Sequence, residues 1–122
     1  MQEPTPQLRH QLSQFQQVQQ QAQALMMQKQ QLEIAMHETD KALEEIAKLK
    51  DGDTIYKSIG GILAKAERAD VETELKERKE TLNLRIKTLE RQEKRVVTRM
   101  NEMRDKITGA MKGEEPRKES EN

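Results

Sequence analysis

The chain has 122 residues, of which 33% are apolar, 36% charged and only 2% aromatic; Lys plus Arg and Asp plus Glu balance at 22 each. So few apolar and aromatic side chains do not fill a compact core for a chain of this length. No run approaches the roughly 18–20 apolar residues of a membrane-spanning helix, and Met-Gln-Glu-Pro-Thr-Pro has neither the charge nor the apolar stretch of a signal peptide. Without cysteine there is no disulfide framework, thiol nucleophile or thiolate metal ligand. The expectation is an elongated cytoplasmic protein.

Residues 1–6, with two prolines, read as a flexible N-terminus. The first long helix is expected over 7–49. Leu8, Phe15, Ala22, Lys29, Met36 and Leu43 recur every seven residues and five of the six are apolar; three places on lie Gln11, Val18, Leu25, Leu32, Thr39 and Ile46, four of them apolar. This is the a/d seam of a coiled coil. Twelve glutamines fall between Gln7 and Gln31. Gln tracts also form aggregating ladders, but apolar residues at 3–4 spacing within this one favour a helix with a neutral polar face.

Residues 50–69 are the connector. Asp51-Gly52-Asp53 stops the helix, Thr54–Ile59 reads as a strand, Gly60-Gly61 as a two-residue primed turn and Ile62–Ala66 as the returning strand. The glycine pair is not a phosphate loop, because no Gly-x-x-x-x-Gly-Lys-Ser/Thr pattern surrounds it. A lone two-stranded hairpin is marginal in water. This one would expose both edges and Ile55, Ile59, Ile62 and Leu63, so it predicts an oligomer in which hairpins join in a sheet or barrel.

The second helix is expected over 70–112, with Asp70 as N-cap and Glu72 and Glu74 in the positive first turn. Leu75, Leu82, Leu89, Val96, Met103 and Ala110 form one seam series, and Glu72, Lys79, Ile86, Glu93, Met100 and Ile107 the other. Gly109 and Gly113 are expected to bracket a fraying end, Pro116 to stop continuation, and 113–122 to be a disordered charged tail. Antiparallel pairing in which partner numbers sum to 118 sets Leu43 by Leu75, Met36 by Leu82, Leu32 by Ile86, Thr39 by Lys79, Ala22 by Val96, Val18 by Met100, Phe15 by Met103 and Leu8 by Ala110. Lys29 then faces Leu89 and reaches toward Glu93. Each helix would run roughly 60 Å at 1.5 Å per residue.

The chemistry of sites is sparse. His10 and His37 lie far apart with no His-x-x-x-His spacing, so no metal site is expected. Acids lie beside bases at i+3 or i+4, as in Glu38/Lys41 and Glu90/Lys94, and read as solvated pairs rather than a catalytic dyad. No enzymatic activity and no cofactor are expected. Residues 70–112 carry nine acids and twelve bases, a weak footprint for nucleic acid.

Two helices of this length around Tyr56-Lys57-Ser58-x-Gly60-x-Ile62-Leu63, after Lys41-Ala42-Leu43-Glu44-Glu45, resemble a prefoldin subunit. Glu80-Thr81-Leu82 and Arg91-Gln92-Glu93 are familiar from archaeal members. About twenty connector residues leave room for one hairpin, which resembles the β type rather than the two-hairpin α type. The fold class implied is mainly α: a long antiparallel two-helix coiled coil whose single central β-hairpin joins an oligomeric β-barrel platform. The resemblance implies an ATP-independent chaperone in which two α-type and four β-type subunits form a hexamer. Its coiled-coil arms hold unfolded polypeptide clients and hand them to a cytosolic group II chaperonin, with no nucleic acid or membrane partner.

On that reading Ile55, Tyr56, Ile59, Gly60, Gly61, Ile62 and Leu63 form the oligomerisation hairpin. Leu8, Leu12, Phe15, Met103, Ile107 and Met111 are the client-binding candidates at the free tips. Phe15 and Met103, like Val18 and Met100, also fit the seam, whereas Leu12 and Met111 lie off it. Met26 and Met27 are expected to pack locally, and Tyr56 to pack against the platform rather than cap the barrel. The alternatives are a coiled-coil scaffold or tether without client-holding activity, and a nucleic-acid binder using Arg91, Lys94, Arg95, Arg99 and Arg104.

Overall fold

A computed structural model describes residues 5–112; most of the expected flexible N-terminus, and the expected tail 113–122 with Pro116, lie outside the described residues. The order is α1 (Pro6–Ala47), β1 (Ile55–Ile59), β2 (Ile62–Ala66) and α2 (Arg68–Met111).

Each helix boundary has a local cause. Thr5 caps α1: its Oγ1 accepts from the Leu8 amide at 3.0 Å and its carbonyl accepts from Arg9 at 2.9 Å. Pro6 then occupies the first helical position, where its missing N–H costs nothing. At the other end, Lys48 and Leu49 donate to Glu45 and Ile46 in tightened i→i+3 bonds. The Lys50 carbonyl accepts from the Asp53 amide at 3.0 Å, while the Asp53 carboxylate accepts from the Lys50 amide at 2.7 Å. Gly52 sits inside this turn at φ +89°, a conformation that a Cβ disfavours.

The start of α2 corrects the expected cap. Glu67, not Asp70, precedes the helix, and its carbonyl accepts from Val71 at 3.1 Å. The strand ends at Ala66 and a single residue leads into the helix, so Asp70 falls inside the first turn, where its charge still opposes the positive helix end. Strand β1 likewise begins at Ile55 rather than Thr54. At the far end Gly109 remains helical instead of starting a frayed end, and Lys112 donates to Thr108 at 3.1 Å.

The chain divides into two compact units: residues 5–28 with 89–112 (unit 1), and Lys29–Thr88 (unit 2). In unit 2 the buried side chains are Thr39, Ile46, Leu82 and Ile86; in unit 1 they are Val18, Ala22 and Ile107. All seven occupy a or d positions of the two heptad series, so the period of the sequence is the period of burial. No large side chain among the described residues is fully enclosed, as expected where two helices bury one stripe each.

Within unit 2, Lys79 Nζ lies 2.8 Å from Asp40 Oδ1 across the helix pair. The expected neighbour of Lys79, Thr39, is one residue away. Its hydroxyl turns back and donates to the Ala35 carbonyl at 2.8 Å, so a polar group in the seam is satisfied by its own helix. Arg68 joins the inner ends of the two helices: Nη1 donates to the Leu49 carbonyl at 2.9 Å, and Nε lies 3.9 Å from Glu72. Neither Glu38/Lys41 nor Glu90/Lys94 is within ion-pair distance, whereas Lys48–Glu45 across the end of α1 and Arg68–Glu72 within α2 are. Exposed partners gain too little to order their long side chains.

Candidate functional site

The hairpin in unit 2 is built by alternation. Strand β1 pairs antiparallel with β2 as Ile55↔Ala66, Tyr56↔Lys65, Lys57↔Ala64, Ser58↔Leu63 and Ile59↔Ile62. Because successive side chains point to opposite faces, one face carries Ile55, Lys57, Ile59, Ile62, Ala64 and Ala66, and the other Tyr56, Ser58, Leu63 and Lys65. Gly60 has φ +56° and Gly61 does not have a positive φ, the pattern of a type II′ turn, whose twist suits a two-residue hairpin.

The first face is anchored at its base. The Lys57 ammonium meets both carboxylate oxygens of Glu74 on α2, at 2.7 and 2.8 Å, and Ile55, Lys57, Ala64 and Ala66 are half-buried. Toward the turn this cover ends. Ile59 is exposed, Ile62 is 70% exposed and Leu63, on the opposite face, is 71% exposed. Tyr56 is exposed as well, so the packing expected of it is not made within the chain. Among the described residues this two-stranded sheet is the only one, and each strand leaves its outer backbone edge unpaired. Exposed apolar side chains here lie beside open strand edges, the combination that most favours pairing with a further strand.

Unit 1 holds the first described residues of α1 and the last of α2. There Leu8, Leu12, Phe15 and Met103 are half-buried. Ile107 is only 7% exposed and Met111 is 67% exposed. The tip candidates therefore divide: Ile107 is spent on the seam, and Met111 leaves about two-thirds of its surface open. Sequence reasoning missed other exposed apolar side chains. Met26 and Met27 are not covered by local packing, and Ile34, Leu84 and Val97 are exposed too. Their heptad positions were the available signal, since Met27, Ile34 and Leu84 occupy f and Met26 and Val97 occupy e, all outside the a/d stripe.

Among the described residues no helix is long and apolar enough to cross a membrane, and no group of three His, Cys, Asp or Glu side chains is placed to hold a metal ion.

A family model described as "Prefoldin subunit" matches residues 9–114, the two helices and the hairpin together. The chain belongs to the prefoldin subunit family. Its relatives place it with the β type. It is 41% identical over 112 residues to the prefoldin subunit beta of Methanothrix thermoacetophila, covering 92% of this chain and 93% of that protein. It is 44% identical over 107 residues to that of Archaeoglobus fulgidus, covering 88% and 92%. The crystal structure of the prefoldin beta subunit from Thermococcus strain KS-1 superposes with a TM-score of 0.82 at 38% identity, over 90% of this chain and 96% of that one. The prefoldin beta2 subunit from the same strain shares the fold at 20% identity, with a TM-score of 0.68 over 75% of this chain and 97% of that one. The prefoldin β architecture of two long helices around one hairpin is thus the architecture of this chain.

Proposed function

We propose that this chain is the β-type subunit of an ATP-independent chaperone. It assembles with an α-type prefoldin subunit, as two α with four β, and holds unfolded polypeptides at the coil ends that carry both termini. From there the client passes to a group II chaperonin in the cytoplasm. The observation that carries the reading is the hairpin. Its apolar side chains are open on both faces and its edges are unpaired, which is unfavourable for a solitary chain and favourable once sister hairpins pair along those edges.

Holding follows from the other unit. Met111 and the half-buried Leu12 offer flexible, apolar contacts, and methionine adapts to clients of many shapes. One fully buried side chain of this kind contributes roughly 1.5–3 kcal/mol, so partial burial gives weak single contacts. Several arms acting on one client raise the effective concentration while keeping each contact reversible. Release then proceeds by competition, and nucleotide is not needed.

The test mixes the chain with a matching α-type subunit and a chemically unfolded client, and follows light scattering without nucleotide. Suppressed aggregation supports the reading. Unchanged aggregation beside a confirmed hexamer rejects it.

A further inference from the structure

The two units differ in charge. Residues 29–88 carry 12 bases and 13 acids, whereas residues 5–28 and 89–112 carry 8 bases and 4 acids. Within unit 1, α1 supplies Arg9 and no acid, so the glutamine-coated helix contributes no carboxylate to balance α2. On α2, Arg91, Lys94, Arg95 and Thr98 line a shallow groove of about 440 Å³. Their i, i+3, i+4, i+7 spacing puts them on one helix face, at heptad positions b, c and f that look away from the seam. Lys94, Arg95 and Arg99 have no carboxylate within ion-pair distance among the described residues. In unit 2 acids outnumber bases, and Lys57, Arg68 and Lys79 each reach one, although Lys76, Arg78, Arg85 and Lys87 do not.

This arrangement works against the helix. Arg95 and Arg99 are like charges at i,i+4, which disfavour helix formation, and neither side chain belongs to the seam. We infer that this face binds acidic segments of unfolded polypeptide, and so biases the chaperone toward net-negative clients. The inference rests on the holding activity proposed above and names its substrate class. A polypeptide is favoured over a nucleic acid because α2 carries no aromatic side chain on which bases could stack. Lys94 and Arg95, which no carboxylate of the described residues reaches, attract carboxylates from solution and leave the apolar contacts of unit 1 to hold the segment.

The test uses the assembled complex with an α-type subunit. Fluorescence anisotropy reads the binding of three labelled, unstructured 20-residue peptides that are acidic, neutral and basic, and of a single-stranded oligonucleotide of the acidic peptide's charge. The acidic peptide binds best, and its affinity falls between 50 and 300 mM salt as screening sets in. The double substitution Lys94→Gln with Arg95→Gln weakens it about fivefold, on the scale of two exposed charge contacts, with the helical signal and the neutral peptide's binding unchanged. Charge reversal to Glu at both positions lowers it further.

Equal affinity for acidic and neutral peptides overturns the inference, as does an affinity indifferent to these substitutions. Tighter binding of the oligonucleotide overturns it in favour of nucleic acid. A tenfold gain on deleting residues 113–122, which hold four acids, overturns it in favour of the chain's own terminal segment as occupant. If neutral and acidic clients are protected from aggregation equally at all salt concentrations, the holding function stands and the charge preference falls. If no client is protected, the holding function falls by itself, and peptide binding still decides the face.

Discussion

Leu82 and Leu84 lie two residues apart on α2, yet truncating them should have very different consequences. Leu82 is a d residue, 6% exposed, whereas Leu84 is an f residue, 61% exposed. Replacing Leu82 with Ala removes three carbons from a nearly closed site, about 2.4 kcal/mol at roughly 0.8 kcal/mol per buried methylene. The cavity penalty adds little, because a two-helix seam with open flanks can collapse around the loss, so the cost stays at the low end of the 2–5 kcal/mol known for such changes. Leu and Ala differ little in helix propensity, so packing decides. With an unfolding entropy of about 2.1 cal/mol/K per residue over about 108 residues, a loss near 2 kcal/mol lowers the melting temperature by about 9 °C. Leu84→Ala should change stability by no more than about 0.5 kcal/mol, or about 2 °C. Thermal denaturation followed by far-ultraviolet circular dichroism at one fixed protein concentration reads both, the concentration held because assembly shifts apparent stability. Equal losses in the two variants would show that the f face of α2 is packed, and the heptad assignment of that helix would have to be abandoned.

Three further outcomes follow from individual residues. Gly60→Ala should destabilise the hairpin by about 1 kcal/mol through its positive φ alone, because nothing lies within 4 Å of the added Cβ. Gly61→Ala, equally open but without a positive φ, should be silent; hydrogen exchange at the Ile59 and Ile62 amides separates them, and equal protection loss would refute the turn assignment. Thr39→Val should leave stability unchanged or raise it by up to about 1 kcal/mol, since the hydroxyl bonds only within its own helix and its loss orphans no buried group; urea unfolding measures this, and a loss above 1 kcal/mol would point to an unseen partner across the seam. The pair Ile62→Asp and Leu63→Asp should keep the helical signal but abolish co-sedimentation with an α-type subunit, while an intact complex would mean that the exposed turn end of the hairpin is not the joint.

The helices and hairpin were legible because their causes lie inside the chain. A seven-residue apolar period needs only one partner helix to have meaning, and the buried residues fall on it without exception. The hairpin announced itself through β-branched residues around two glycines, and the II′ pattern of Gly60 and Gly61 is one of the two primed turns such a pair permits. The end of α2 nearest the hairpin was misplaced by a competing signal. Asp70 is a better cap by side chain than Glu67, but the strand runs to Ala66 and the helix takes the first residues available after it. Capping preference is worth about 1 kcal/mol, and the closing geometry of the hairpin outweighs it.

The functional surfaces were less legible for a reason that belongs to their chemistry. A seam residue is selected by neighbours in the same chain, so its pattern repeats and can be counted. Ile34, Leu84 and Met111 have no such neighbours: each is an apolar side chain where this chain alone would be served as well by a polar one. The same holds for Lys94 and Arg95, whose charges improve no contact within the described residues. On the proposed function, other molecules give two groups of such residues a use: a sister hairpin for Ile62 and Leu63, and a client for Met111, Lys94 and Arg95 of unit 1. A tether would still use Ile62 and Leu63 as an assembly staple, but it would have no use for an exposed Met111, where a polar residue would make it more soluble at no cost in stability. Exposed residues that do nothing for the fold are therefore the physical ground on which a chaperone reading is preferred to a scaffold reading.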